Sequence, residues 1–183
     1  VLSKVARQMN DSSRAQELGD AAREILSNAG SWTAMTEVRL MGLEPVPGEI
    51  VPPELAEERM TRALKLSVQA EEHGDLPRAA RARALAAQAA MNTNKLGEAV
   101  EYAESALTIA GRCHGWISHL PQMLSIGAAA RRKARRTASA QALDTRALEQ
   151  LRQIASTIED KELRRIWLAT REAEGSMVLT GPI

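Results

Sequence analysis

The sequence predicts an all-α protein, and three observations lead to that class. Alanine accounts for 32 of the 183 residues, whereas aromatic residues make up 2% and phenylalanine is absent. This composition favours closely packed helices over a β-sheet. Apolar residues recur at steps of three and four in several windows, as they do on one face of a helix. No Asn-Gly or Asp-Gly hairpin turn occurs in the sequence, and no alternating apolar and polar stretch competes with the helical windows.

Four helices are predicted in the first half of the chain, over residues 13–29, 32–43, 53–72 and 77–91. The first has Asp11-Ser12 as its cap and ends before Gly30, where a C-terminal glycine is favoured. The third begins at Pro53, because proline suits the first turn of a helix. Between the second and third helices, four prolines lie within residues 44–53. Since proline cannot continue a helix, this segment is predicted to be a loop or hinge.

Four more helices are predicted in the second half. Residues 96–110 give the clearest pattern, with an apolar stripe opposite Glu98, Glu101 and Glu104. The next helix covers residues 116–136, with Pro121 near its start. A helix over 146–158 follows, for which Asp144-Thr145 is the expected cap. The last covers 160–174 and is expected to stop at Gly175.

Regular spacing predicts how the helices are arranged. The turn Gly74-Asp75-Leu76, with an alanine three residues later, recurs 20 residues on as Asn94-Lys95-Leu96. Predicted helix starts keep about the same step along the chain. We therefore expect residues 1–183 to form a single domain of antiparallel helix hairpins stacked as a short right-handed solenoid. A compact helical bundle is the alternative arrangement.

Two segments carry a resemblance to a known family. Residues 74–79 (GDLPRA) resemble the turn between paired helices of the tetratricopeptide repeat family, and residues 96–107 (LGEAVEYAESAL) resemble its second helix. The resemblance covers about residues 54–112. It implies an array of helix hairpins that binds a protein or peptide on its inner surface, which is lined by the first helix of each pair.

A second resemblance concerns the C-terminal part. The apolar spacing of residues 151–168 resembles the closing helices of repeat arrays in bacterial signalling proteins, namely nucleotide-binding regulators and LuxR-type or cyclase-linked proteins. It implies the sensor or interaction arm of a cytoplasmic bacterial regulator involved in signalling or transcription regulation. The first residue is Val1 rather than methionine, so we expect this chain to be a fragment of a longer protein.

Several function classes are not expected. The single cysteine, Cys113, cannot form an internal disulfide, which suits a reducing cytoplasm. No apolar run approaches the roughly 18 residues of a membrane span, so no membrane partner is expected. The spacing of Cys113, His114 and His119 does not match a zinc site, and no metal is predicted. Neither a G-x-S-x-G motif nor a glycine-rich phosphate loop occurs, so we expect no cofactor and no enzymatic activity.

Two sets of residues are candidate binding sites. If residues 77–91 and 116–136 are first helices of successive pairs, the inner surface carries six candidate partner contacts: Arg81, Gln88, Asn92, His119, Gln122 and Arg132. A basic run could instead bind phosphates: Arg131, Arg132, Lys133, Arg135 and Arg136. Because the formal net charge is only +1, the favoured interpretation of this run is a solvated cationic helix end. The sequence thus predicts a non-enzymatic protein- or peptide-binding module, with nucleic-acid binding as the alternative.

Overall fold

A computed structural model describes most of the chain. It covers residues 31–45, 49–114 and 117–179, with side chains up to residue 170, and Glu17, Leu18, Asp20, Ala21 and Glu24. These five isolated residues are helical, but most of the helix predicted over 13–29 lies outside the described residues.

Seven helices are defined within residues 31–179, and the described residues contain no strand. The predicted all-α class is therefore confirmed. The helices are α1 Trp32–Leu43, α2 Pro53–Glu72, α3 Leu76–Asn92, α4 Leu96–Gly111, α5 Leu120–Lys133, α6 Thr137–Ser156 and α7 Lys161–Leu179. The connection between α1 and α2 coincides with the predicted proline-rich loop, of which residues 46–48 lie outside the described part. None of the described helices is long and apolar enough to cross a membrane.

The predicted boundaries of three helices were wrong in the C-terminal half. Helix α6 begins nine residues before Arg146, directly after the turn at Arg135. Thr145 lies inside it, where its hydroxyl donates to the Gln141 carbonyl. Helix α5 spans only Leu120–Lys133, so it begins four residues after the predicted start at residue 116 and ends three residues before the predicted end at residue 136. Helix α7 continues through Gly175 to Leu179, so this glycine does not act as a stop.

The turn predicted at two positions occurs a third time between α5 and α6. Its central residue has a positive φ in each copy, 70° at Gly74, 59° at Asn94 and 59° at Arg135. The next residue donates to the carbonyl five positions earlier, with N–O distances of 2.8, 2.9 and 2.8 Å. The residue five positions after each central residue is a buried alanine, namely Ala79, Ala99 and Ala140. One turn geometry therefore joins α2 to α3, α3 to α4 and α5 to α6.

The Arg135 turn allows a stability prediction. An L-residue in the left-handed region costs about 1–2 kcal/mol, a penalty that glycine avoids. Arg135→Gly is expected to raise the free energy of unfolding by about 1 kcal/mol, measured by urea denaturation. Arg112 is the matched control, because it also follows a helix but has a φ of −87°. Arg112→Gly should be neutral or destabilising; an equal gain from both substitutions would contradict the prediction.

Helix α3 occupies the centre of the described core. Its eight alanines are all buried, with at most 5% of each residue exposed. Small side chains on every side let other helices approach its axis closely. Accordingly, α3 contacts α1, α2, α4 and α5.

The helix contacts follow chain order. Each helix contacts the next one along the chain, and α1 with α3, α3 with α5 and α5 with α7 are also in contact. We refer to α1, α3, α5 and α7 as the odd helices and to α2, α4 and α6 as the even helices. The odd helices thus form one continuous row, in which each member contacts its neighbour.

Candidate protein-interaction surfaces

Helix α3 has two opposite sides, one of which carries Arg83 and the other Asn92. On the first side, the Nε atom of Arg83 donates to Ser67 Oγ of α2 at 3.1 Å. Asn92 lies nine residues further along α3, which is two and a half helical turns. It therefore points in the opposite direction, and it is exposed. Gln88, one turn before Asn92, shares that side and is half-buried, with its Oε1 atom buried and without a hydrogen-bond partner among the described residues. Both residues line a small crevice with Arg59 of α2.

Helix α5 likewise has two opposite sides. Arg131 extends toward α4, where its guanidinium lies 3.2 Å from Glu104 Oε1. Gln122 lies nine residues earlier and therefore points away from the even helices. Ser125, three residues after Gln122, shares that side, and both are partly exposed. We define the odd-helix face as the surface formed by Gln88, Asn92, Gln122 and Ser125.

Arg81 was predicted to contact a partner, and the structure places it between α1 and α3. It is only 4% exposed, with one guanidinium nitrogen 2.5 Å from Glu37 and the other 2.5 Å from Glu44. Arg78 lies 3.3 Å from the second oxygen of Glu37. The guanidinium of Arg81 therefore holds the middle and the C-terminal end of α1 against α3.

The carboxyl group of Glu37 has a perturbed pKa. Burial alone would raise this pKa, but the hydrogen bond and the charge of Arg81 outweigh burial and hold it below its ordinary value. The charges of Arg78 and His119 act in the same direction. His119, another predicted contact, thus lies near this cluster at the start of α5.

Glu37 should make stability depend on pH. A carboxyl group whose pKa is lower in the folded state stabilises the fold above its unfolded pKa, and that contribution is lost as the pH falls through the folded value. We expect the urea midpoint to fall on acidification from neutral pH, and to fall less steeply in Glu37→Gln. Equal steepness in both proteins would show that Glu37 is not a source of the pH dependence.

The five cationic side chains of the basic run, residues 131–136, differ in their exposure and in their ion-pair partners. Arg131 pairs with Glu104 of α4, whereas Arg132 pairs with Asp144 of α6. Lys133 and Arg135 are exposed. Arg136 is also exposed, and it lies 4.0 Å from the same Glu104 oxygen that pairs with Arg131. Three of the five cations therefore lie within 4.0 Å of a carboxylate, and the run does not form one continuous cationic patch.

The structure also contains a groove that the sequence did not reveal. It lies between α4 and α6 across α5 and has a volume of about 420 Å³. Its lining combines apolar and charged side chains from all three helices: Glu104, Leu107, Thr108, Ala110, Gly111, Leu120, Arg131, Leu143 and Arg146. Leu107 belongs to the apolar stripe predicted for residues 96–110, but Leu143 lies outside the helix predicted over 146–158, and nothing in the sequence showed that α4 and α6 lie apart. We call it the α4–α6 groove.

Two further kinds of chemistry, metal binding and thiol reactivity, find little support among the described residues. No group of three or more His, Cys, Asp or Glu side chains there could hold a metal ion. Burial raises the pKa of the Cys113 thiol, which keeps the thiol protonated and poorly nucleophilic.

Trp32 stacks on His73 with ring centroids 3.8 Å apart, so this tryptophan packs α1 against the turn before α3. Trp116 lies outside the described residues.

Comparisons with known proteins were made by sequence family, by curated sequence and by structure. No family model, curated protein or solved structure matches the chain. The resemblances to tetratricopeptide repeats and to bacterial regulators therefore stay predictions from the sequence.

Proposed function

We propose that the chain is a non-enzymatic protein- or peptide-binding module that holds its partner on the odd-helix face. In this proposal the helices form hairpins stacked as a short right-handed solenoid. Support comes from the contacts, which join each helix to its first and second neighbours. A closed bundle would also bring the first helices against the last, and within the described residues no extensive contact joins α1 or α2 to α6 or α7.

The observation that carries the proposal is the shared direction of Asn92 and Gln122. Each lies on the side of its helix opposite an arginine that is fixed to an even helix, and both side chains are at least partly exposed. The amides of Asn92 and Gln122 and the hydroxyl of Ser125 can donate hydrogen bonds to a peptide backbone and accept them from it. The helices that carry them are held by core packing, which presents these groups in a fixed arrangement.

A selection experiment tests this function. A random-peptide display library is selected against the folded chain, and the tightest peptide is labelled for fluorescence anisotropy. Asn92→Ala and Gln122→Ala should each weaken its binding by roughly tenfold, as residues central to an interface do. Gln141→Ala, an exposed amide on α6, is the matched control and should leave the affinity unchanged. Undiminished binding in both face variants would contradict the proposal.

The cellular role that we propose is the interaction arm of a cytoplasmic bacterial regulator. Its support is the resemblance of residues 151–168 to the closing helices of such arrays. The open reading frame around this segment tests it: an adjacent ATPase, cyclase or helix-turn-helix domain would agree, and a frame without any of them would contradict it.

Nucleic-acid binding has weaker support, because Arg131 and Arg132 are already paired with carboxylates on two different helices. We expect no mobility shift of duplex DNA at low salt, where phosphate contacts are strongest. A shift that disappears when Lys133 and Arg135 are changed to glutamine would favour the nucleic-acid alternative.

A further inference from the structure

The α4–α6 groove has an apolar floor held in place by close helix packing. Gly127 of α5 lies beneath it, and a Cβ atom at this position would be 3.1 Å from Leu143 Cδ1 and 3.7 Å from Leu107 Cδ1. The absence of a side chain at Gly127 lets leucines from α4 and α6 lie over α5. Leu120 and Leu107 are partly exposed there, whereas Leu143 is only 4% exposed. The floor is therefore formed without a rearrangement on binding.

The rim of the groove carries an excess of positive charge. Glu104 is approached by two arginines, Arg131 at 3.2 Å and Arg136 at 4.0 Å. Arg146 on the α6 side is exposed and forms no ion pair with any described carboxylate. Two guanidinium groups thus lie near Glu104, and Arg146 adds another positive charge to the lining. A ligand with its own carboxylates would complement this rim.

We propose that the α4–α6 groove is a second binding site, separate from the odd-helix face, for an acidic peptide segment with leucine-like side chains. The apolar side chains of the segment cover Leu107 and Leu120, which are partly exposed. Its carboxylates pair with Arg146 and with Arg131. A groove of about 420 Å³ accommodates a few side chains, because sites of this kind range over about 300–1,000 Å³.

The test uses a labelled synthetic peptide of alternating glutamate and leucine pairs, and a second peptide in which every glutamate is glutamine. Binding to the full chain is measured by fluorescence anisotropy at low and at high salt. The glutamate peptide should bind, more weakly at high salt, and the glutamine peptide should bind at least roughly tenfold more weakly. Failure of the glutamate peptide to bind, or equal binding of both peptides, would overturn the proposal.

Two substitutions locate the site. Arg146→Glu should weaken binding by roughly tenfold or more, whereas Arg152→Glu, the same charge change at another exposed position of α6, should not. Gly111→Trp blocks the groove, and a Cβ atom at this exposed glycine meets nothing within 4 Å, so the fold should tolerate it. If affinity survives Gly111→Trp, the peptide binds elsewhere and the proposal is overturned.

Different experimental results would contradict the groove proposal and the odd-helix-face proposal. Asn92→Ala and Gln122→Ala should leave binding of the glutamate peptide unchanged, because both residues lie on the opposite side of the odd helices. If these substitutions abolish it and Arg146→Glu does not, the acidic peptide binds the odd-helix face, and the groove proposal alone is wrong.

Discussion

Arg81→Ala is expected to lower the free energy of unfolding by about 3 kcal/mol, toward the lower end of the range for breaking a buried ion pair. The substitution leaves Glu37 and Glu44 without the guanidinium that pairs with both. It also removes a buried aliphatic stem from between α1 and α3. The measurement is urea denaturation at neutral pH.

An exposed pair provides the control for Arg81. Arg62 and Glu58 on α2 are 2.5 Å apart, but their side chains are 69% and 50% exposed. Arg62→Ala should cost less than about 0.5 kcal/mol, because water screens exposed pairs. A triple variant, Arg81→Met with Glu37→Gln and Glu44→Gln, should recover most of the loss, since it leaves no unpaired charge. A cost for Arg81→Ala as small as that for Arg62→Ala would contradict the structural role of Arg81.

Ala87→Leu is expected to lower the free energy of unfolding by about 3 kcal/mol, the upper end of the usual cost of overpacking a core. Ala87 is fully buried in α3, which has helices on four sides. Three additional carbon atoms at this position must displace one of those helices. Thermal or urea denaturation measures the loss.

Ala142→Leu provides the matched comparison, because Ala142 is an exposed alanine of α6. Alanine and leucine have similar helix propensities, so this change should shift stability by less than about 0.5 kcal/mol. If Ala87→Leu were tolerated as well as Ala142→Leu, the close packing around α3 would be contradicted.

Local signals in the sequence were enough to predict most of the helices. Helix α1 has the predicted bounds, and its cap Ser31 accepts a hydrogen bond from the Ala34 N–H. Helix α2 begins at Pro53 and ends at Glu72, as the proline and the following His73-Gly74 turn predict. Such signals work because they depend on residues within one turn of the boundary.

The third turn had no local signal. Glycine and asparagine are the residues that indicate a positive φ, and they occupy the first two copies. Arginine occupies the third, at residue 135, so the helix before it was predicted three residues too long. The 41 residues between Asn94 and Arg135 are about two steps of the 20-residue spacing, and this was the available clue.

The candidate surfaces were only partly predictable. The one-turn separation of Gln88 and Asn92 predicts that they share a side of α3. The two partners of Arg81 are separated from it by 44 and 37 positions in the sequence, so its burial depends on how α1 packs against α3. The α4–α6 groove likewise depends on the spacing between helices, which helix periodicity does not determine.

The most direct test of the odd-helix face is an amide chemical-shift map. The tightest library-selected peptide is titrated into isotope-labelled chain, and the shift of each backbone amide is followed. The account predicts the largest shifts around Asn92, Gln122 and Ser125, on α3 and α5. Shifts confined to the even helices α2, α4 and α6, with those amides unchanged, would contradict it.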